Sequence, residues 1–146
     1  MNRKAVGLGV LCVLGIAIAA TALALFHGYF DRGRFEIKET SLSPSSSAAM
    51  VARRSDREAM SGDQYFVVVG DHVFSASELR DAYYGNQVIF RADSDCLSVA
   101  WKESHNLAIT CQDGSIIRSH IAVQQHHIED LAVTYINIPT SIQQAK

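Results

Sequence analysis

The chain has 146 residues with thirteen Lys and Arg, fifteen Asp and Glu, and a formal net charge of −2 at pH 7. All fifteen acidic residues lie at or after Asp31, against eleven basic residues there, so residues 31–146 carry a net charge of −4. This balance argues against a nucleic-acid partner, because affinity for nucleic acid comes mainly from basic groups on phosphates. Residues 31–146 suffice for one small domain and are too few for two.

The N-terminal part carries an uncharged apolar run at positions 5–26, AVGLGVLCVLGIAIAATALALF. A helix of that length rises roughly 33 Å, enough to cross a hydrocarbon core of roughly 30 Å. Tyr29 and Phe30 follow, and aromatic residues are typical of a membrane surface. We therefore predict that residues 1–30 form a membrane anchor or an uncleaved signal, with a single transmembrane helix.

A cleavable export signal is the alternative for the same segment. Arg3 and Lys4 supply a charged start, and the ATA and ALA triplets at 20–22 and 22–24 match a small-x-small cleavage site. Signal cores usually run about 7–15 apolar residues, so the longer run favours an anchor over a secreted domain released by cleavage. Both alternatives export residues 31–146. We expect a single-pass protein of the plasma (inner) membrane with an extracytoplasmic C-terminal domain.

Residues 31–63 are predicted to be a stalk or linker with short strands. Residues 35–40 alternate apolar and polar side chains, as in a short strand. The SLSPSSS segment at 41–47 has turn or linker chemistry, and residues 48–54 fit either a strand or a helix.

Residues 64–146 are predicted to form a β-rich domain. Ser75 and Glu78 have the spacing of a capping box, and Gly85 can end the helix that they begin. Runs of strand formers between turn clusters predict strands at 64–69, 87–91, 97–101, 107–111 and 131–138. The expected fold is a small α+β domain, mainly antiparallel β with one short helix, after the N-terminal transmembrane helix.

Cys96 and Cys111 flank a predicted hairpin in which two arguments conflict. Matching the apolar side chains pairs Leu97 with Cys111, and that register places the two cysteines on opposite faces. A shift by one residue would set the cysteines opposite each other but spoil the apolar match, unless a bulge restored it. Because two cysteines of an exported domain are usually paired, we predict a Cys96–Cys111 disulfide; the alternative is two buried thiols.

The segment SHIAVQQHHIED holds His120, His126 and His127, which supports an alternative function as an extracytoplasmic metal-binding domain. Neither strand nor helix geometry gives the tight histidine pair with a third ligand that is typical of zinc sites. We therefore predict solvated histidines here, without a metal site or a cofactor. Asp93 and Asp95 begin like a calcium loop, but further oxygen ligands do not follow.

Catalytic motifs are missing from the sequence: it has no G-x-S-x-G, G-x-x-x-x-G-K-[ST], H-E-x-x-H or S-x-x-K. An enzyme that uses Cys111 as a nucleophile is an alternative, although this residue ends an apolar strand pattern and buried thiols are usually inert. We predict no enzymatic activity and no catalytic residues.

Two groups of residues are suited to binding a partner. They are the basic cluster of Arg53, Arg54 and Arg57, and the aromatic residues Tyr83, Tyr84 and Trp101. We expect a small envelope protein whose β-rich domain acts as a non-enzymatic binding or accessory module. Its expected partners are the lipid bilayer and another membrane or envelope protein, without nucleic acid.

Overall fold

A computed structural model describes residues 13–23, 33–56 and 62–140 of the chain. The chain divides into two compact units, residues 1–32 and residues 33–146. In the first unit, residues 13–23 form helix α1, whose side chains are exposed. No helix in the described ranges is long and apolar enough to cross a membrane.

This finding overturns three predictions that depend on the apolar run. The N-terminal transmembrane helix of the expected fold class, the single-pass topology and the inner-membrane location are wrong. The described residues of α1 rise roughly 16 Å, about half of a hydrocarbon core. The rest of the run, residues 5–12 and 24–26, lies outside the described residues, as do Tyr29 and Phe30.

The described residues of the second unit are mostly β. The strands are β1 (Arg34–Leu42), β2 (Ala48–Ser55), β3 (Gln64–Gly70), β4 (Phe90–Ala92), β5 (Leu97–Glu103), β6 (Asn106–Cys111), β7 (Ile121–Gln124), β8 (His127–Ile128) and β9 (Leu131–Ile136). Helix α2 (Ala76–Tyr84) lies between β3 and β4, and a 3₁₀ helix (Arg118–His120) precedes β7.

The strands form two sheets. A five-stranded sheet has the order β1-β2-β3-β4-β7, and a four-stranded sheet has the order β5-β6-β9-β8. The pairing is antiparallel except between β6 and β9, which run parallel. The segment 31–63, predicted to be a stalk or linker, contains β1 and β2, and β2 pairs with β3 along seven register positions.

Helix α2, the five-stranded sheet and the four-stranded sheet form three layers, and a hydrophobic cluster fills the space between each two neighbouring layers. One lies between the two sheets and includes Val67 and Phe90 from the five-stranded sheet and Leu107 and Ile109 from the four-stranded sheet. The other lies between the five-stranded sheet and α2, where Leu79 of the helix packs on the strands. Strand β2 contributes alternate residues to both clusters, and residues 48–52 are therefore fully buried.

The start of α2 confirms the predicted capping box. The Ser75 Oγ accepts a hydrogen bond from the Glu78 amide, and the Ser75 amide donates to the Glu78 carboxylate at 2.7 Å. The Gly85 amide donates to the Asp81 carbonyl at 2.7 Å and ends the helix. The remaining strand predictions are less accurate, because residues 87–89 lie outside β4 and because β7 and β8 were not predicted.

The hairpin of β5 and β6 confirms the apolar register, with Leu97 opposite Cys111. The conflict over the cysteines does not arise, because Cys96 lies one residue before β5 and strand alternation does not fix its side chain. Its Cα atom lies 4.8 Å from that of Cys111, and the two sulfur atoms are at disulfide-bonding distance. The register shift falls at the other end of the hairpin, between Trp101 and Glu103.

Candidate binding site

The face of the five-stranded sheet that packs against α2 carries a group of charged and aromatic side chains. We define this arginine–aromatic cluster as Arg54, Arg80, Arg91, Phe35, Tyr83 and Tyr84. Arg54 of β2 is the register partner of Phe35 of β1, and Phe35 packs in the core beneath α2. Arg91 of β4 is the register partner of Phe66, which belongs to the same core. Three strands and one helix therefore bring the cluster together.

The ring of Tyr83 is the centre of the arginine–aromatic cluster. The guanidinium carbon of Arg91 lies 5.1 Å from its centroid and that of Arg54 lies 5.5 Å away, both within cation–π distance. The Phe35 ring packs edge-on against Tyr83 at 5.6 Å, and the Tyr83 hydroxyl donates a hydrogen bond to Gln64. Because Tyr83 is buried and anchored at its hydroxyl, it holds both guanidinium groups in place.

Among the described residues, the charge of the Arg54 and Arg91 pair is only partly compensated. Arg54 lies 3.5 Å from the Asp56 carboxylate, and each of these side chains is 18% exposed. Within the described ranges, no carboxylate oxygen lies within 4.0 Å of the Arg91 guanidinium. Its electrostatic contact is the cation–π contact with Tyr83. The Nε groups of both arginines are buried and make no hydrogen bond to the residues that the structure describes. A half-buried charge without a counterion is costly, so a carboxylate supplied from outside would stabilise Arg91.

The basic cluster predicted from sequence is not brought together. Successive residues of β2 point to opposite faces, so Arg53 lies on the other side of the sheet from Arg54. The Arg53 guanidinium pairs with Glu36 at 2.9 Å and Asp63 at 3.4 Å, which neutralises it. Arg57 lies outside the described residues.

The aromatic residues predicted as an interface are also divided. Tyr83 and Tyr84 belong to the arginine–aromatic cluster, whereas Trp101 of β5 donates its indole N–H to the Ser41 carbonyl at 3.0 Å. Arg91 was not predicted as a binding residue, although the sequence carries a signal for it. It lies between two buried apolar residues of a strand and must therefore face the opposite side.

A second charged group lies at the start of α2. The Nδ1 of His72 is 2.6 Å from an Asp71 carboxylate oxygen, and its Nε2 is 2.8 Å from a Glu78 oxygen. The hydrogen bond with Glu78, followed by that with Asp71, raises the pKa of His72. The Ser75 hydroxyl donates to Glu78 and not to His72, so these groups form an ion-paired helix start rather than a nucleophile with its base.

The three histidines proposed as metal ligands are not grouped. His120 lies in the 3₁₀ helix and His127 in β8, both exposed, while the His126 ring packs edge-on against Tyr135 at 5.1 Å. Burial raises the pKa of Tyr135. Within the described ranges, one set of three His, Cys, Asp or Glu residues places its ligand atoms within 4.8 Å of one another: Cys96, Cys111 and Asp113.

The chain was compared with protein-family models, with curated proteins and with solved structures. None of them matches it.

Proposed function

We propose that residues 33–140 form a non-enzymatic binding domain whose arginine–aromatic cluster docks an acidic segment of a protein partner. The observation that carries this proposal is the convergence of Arg54 and Arg91 on the ring of Tyr83. Asp56 is the one carboxylate within ion-pair distance of this pair in the described ranges. Arg91 therefore retains positive charge for a partner's carboxylate.

The side-chain types favour a protein partner with Asp or Glu residues. A guanidinium is planar and binds a carboxylate through two parallel hydrogen bonds, and its charge persists at any physiological pH. Tyrosine and arginine are the residues that most often dominate the binding energy of protein interfaces. Tyr84 is half-exposed beside the buried Tyr83 and offers an aromatic surface at the edge of the cluster.

The charge of the remaining surface favours the same partner and the same docking position. Residues 31–146 carry a net charge of −4, so most of this unit repels an acidic segment. Attraction is confined to places where arginines outnumber carboxylates. Arg53 does not provide such a place, because Glu36 and Asp63 already neutralise it.

A peptide-binding measurement tests the proposal. A fluorescently labelled peptide rich in Glu and Asp is titrated with the full-length chain at low salt, and its anisotropy is recorded. We expect saturable binding that weakens about tenfold or more in Arg91→Gln, because one charge-assisted contact is lost. Tyr84→Ala should also weaken binding, since it removes exposed aromatic area without changing charge.

The matched control is Lys102→Gln, which removes the same charge from an exposed position in β5. This variant should bind the peptide within about twofold of the wild type, the difference expected for weak, screened surface charge. Equal weakening by Lys102→Gln and Arg91→Gln would show attraction by net charge alone and would refute the site. Absence of any binding by the folded wild-type chain would do the same.

A further inference from the structure

The open end of the β5–β6 hairpin brings two sulfur atoms and a carboxylate together. Oδ1 of Asp113 lies 3.1 Å from the sulfur of Cys111, and the Ser94 hydroxyl lies 3.3 Å from the sulfur of Cys96. The Ser115 hydroxyl is 3.1 Å from that of Ser94. The two sulfurs therefore have an acidic group and two hydroxyl groups around them.

The backbone holds Asp113 at this place without help from the sulfurs. The Ser115 amide donates to Oδ1 of Asp113 at 3.0 Å, and the Gly114 amide donates to the Cys111 carbonyl at 3.3 Å. Gly114 has φ of +65°, in the left-handed region that glycine adopts without strain.

The hairpin also holds the two cysteines together without requiring a bond between them. Leu97 and Cys111 are paired in the strand ladder, and the Gln112 amide donates to the Cys96 carbonyl at 3.1 Å. These backbone hydrogen bonds do not depend on the oxidation state of sulfur. After reduction, both thiols therefore stay within reach of one metal ion and of Asp113.

We infer that the reduced protein binds one Zn²⁺ ion, or a similar soft divalent cation, through Cys96, Cys111 and Asp113. A dithiol or a phosphine supplies two electrons, and with two protons the disulfide becomes two thiols. The metal ion then displaces both thiol protons, and two thiolates and one carboxylate coordinate it. Thiolates select zinc over magnesium or calcium, and a water molecule can complete a tetrahedral shell. The oxidised form offers no thiolate, so binding requires reduction.

Cobalt serves as the spectroscopic probe of this site. The full-length chain carries Cys12→Ser, so that the third cysteine of the sequence supplies no thiolate. The protein is reduced with a phosphine and titrated with Co²⁺, and the thiolate-to-cobalt charge-transfer band is recorded; Zn²⁺ then competes against a chromophoric chelator. We expect one ion per reduced chain and none in the oxidised chain.

Three variants assign the ligands. Cys111→Ser should abolish the charge-transfer band, and Asp113→Asn should weaken Zn²⁺ binding by about tenfold or more. Asp95→Asn removes the same charge next to Cys96 but lies outside the group of three ligands, and it should bind as the wild type does. The inference is overturned if the reduced chain does not bind, if Asp113→Asn and Asp95→Asn bind equally, or if the reduced chain loses the near-ultraviolet signal of folded Trp101.

Discussion

Nε2 of His72 lies 2.8 Å from a carboxylate oxygen of Glu78, and this contact ties the β3–α2 connection to the first turn of the helix. Asp71 holds the other ring nitrogen of His72 at 2.6 Å. Both ring nitrogens donate when the imidazole is protonated, so the positive form is the one that fits between the carboxylates. The stability of the helix start therefore depends on pH.

We predict that His72→Gln flattens the stability profile on the alkaline side. Since Glu78 and Asp71 raise the pKa of His72 above 6.5 in the folded state, its stabilising effect is complete below about pH 6.5 and is lost as the pH rises through the folded value. Urea unfolding at a series of pH values should show a decline in the wild type that the variant lacks. His120→Gln, a change at an exposed histidine outside this group, should follow the wild type. Parallel wild-type and His72→Gln profiles would contradict the prediction.

On the acidic side we predict that Glu78→Gln reduces the loss of stability between about pH 4.5 and pH 2. Hydrogen bonds from Ser75, first from its amide and then from its hydroxyl, lower the pKa of Glu78 to about 2. The carboxylate therefore stabilises the fold above pH 4.5, and this contribution disappears as the pH falls towards 2. Urea unfolding across this range measures the effect. Asp81→Asn makes the same charge change elsewhere in α2, and an equal effect in that variant would contradict the role of the cap.

Glu39 is predicted to protect the edge of the four-stranded sheet. Its carboxylate accepts hydrogen bonds from the Ser98 hydroxyl at 3.1 Å and from the Val99 amide at 3.3 Å, on edge strand β5. Glu39→Ala should lower the free energy of unfolding by about 1.5–3 kcal/mol, the range for hydrogen bonds to charged groups. Because the freed amide can pair with another strand, the variant should also self-associate. Size-exclusion chromatography at several concentrations tests this.

The control for Glu39 is Glu103→Ala, at the exposed end of the same edge strand. It should neither associate nor lose more than about 0.5 kcal/mol, as is usual for a surface change. If both variants behave alike, the contacts of Glu39 with β5 have no special role.

The Cys96–Cys111 pair is predicted to stabilise the oxidised chain. Cross-linking residues 15 positions apart removes conformational entropy from the unfolded chain, worth about 3 kcal/mol. Replacing both cysteines by serine should therefore lower the free energy of unfolding by about this amount, with the near-ultraviolet spectrum of the folded protein retained. Cys12→Ser should leave the free energy unchanged. Peptide mapping without reductant should recover the linked pair, and free thiols at both positions would contradict the bond.

The helix cap and the hairpin register could be predicted from the sequence, because each depends on residues that lie close together in the chain. Ser75 and Glu78 are three residues apart, and a hydrogen-bonded cap needs nothing more distant. The register of β5 and β6 likewise follows from apolar alternation across a short turn. The position of Cys96 could not be derived in the same way, because the alternation rule ends where the strand ends.

Pairings between distant segments were not predictable from the sequence. Parallel pairing of β6 with β9 leaves no mark on either strand that distinguishes it from antiparallel pairing. The arginine–aromatic cluster combines Arg54, Tyr83 and Arg91 from three elements, and no local pattern in these segments shows that the three side chains converge. The apolar run at 5–26 is a strong local signal that led to a wrong prediction. Its composition predicted a membrane-spanning helix, which the described residues do not form.

Strand β2 places Met50 in the core beneath α2 and Val51 in the core between the sheets. A movement of this strand large enough to open one core to water therefore opens the other as well. For residues 33–140 we expect melting in a single cooperative step, with no stable intermediate that keeps the sandwich and loses β2. Enlarging the neighbouring Ala49 or Ala52 would strain a strand that has packed atoms on both of its faces.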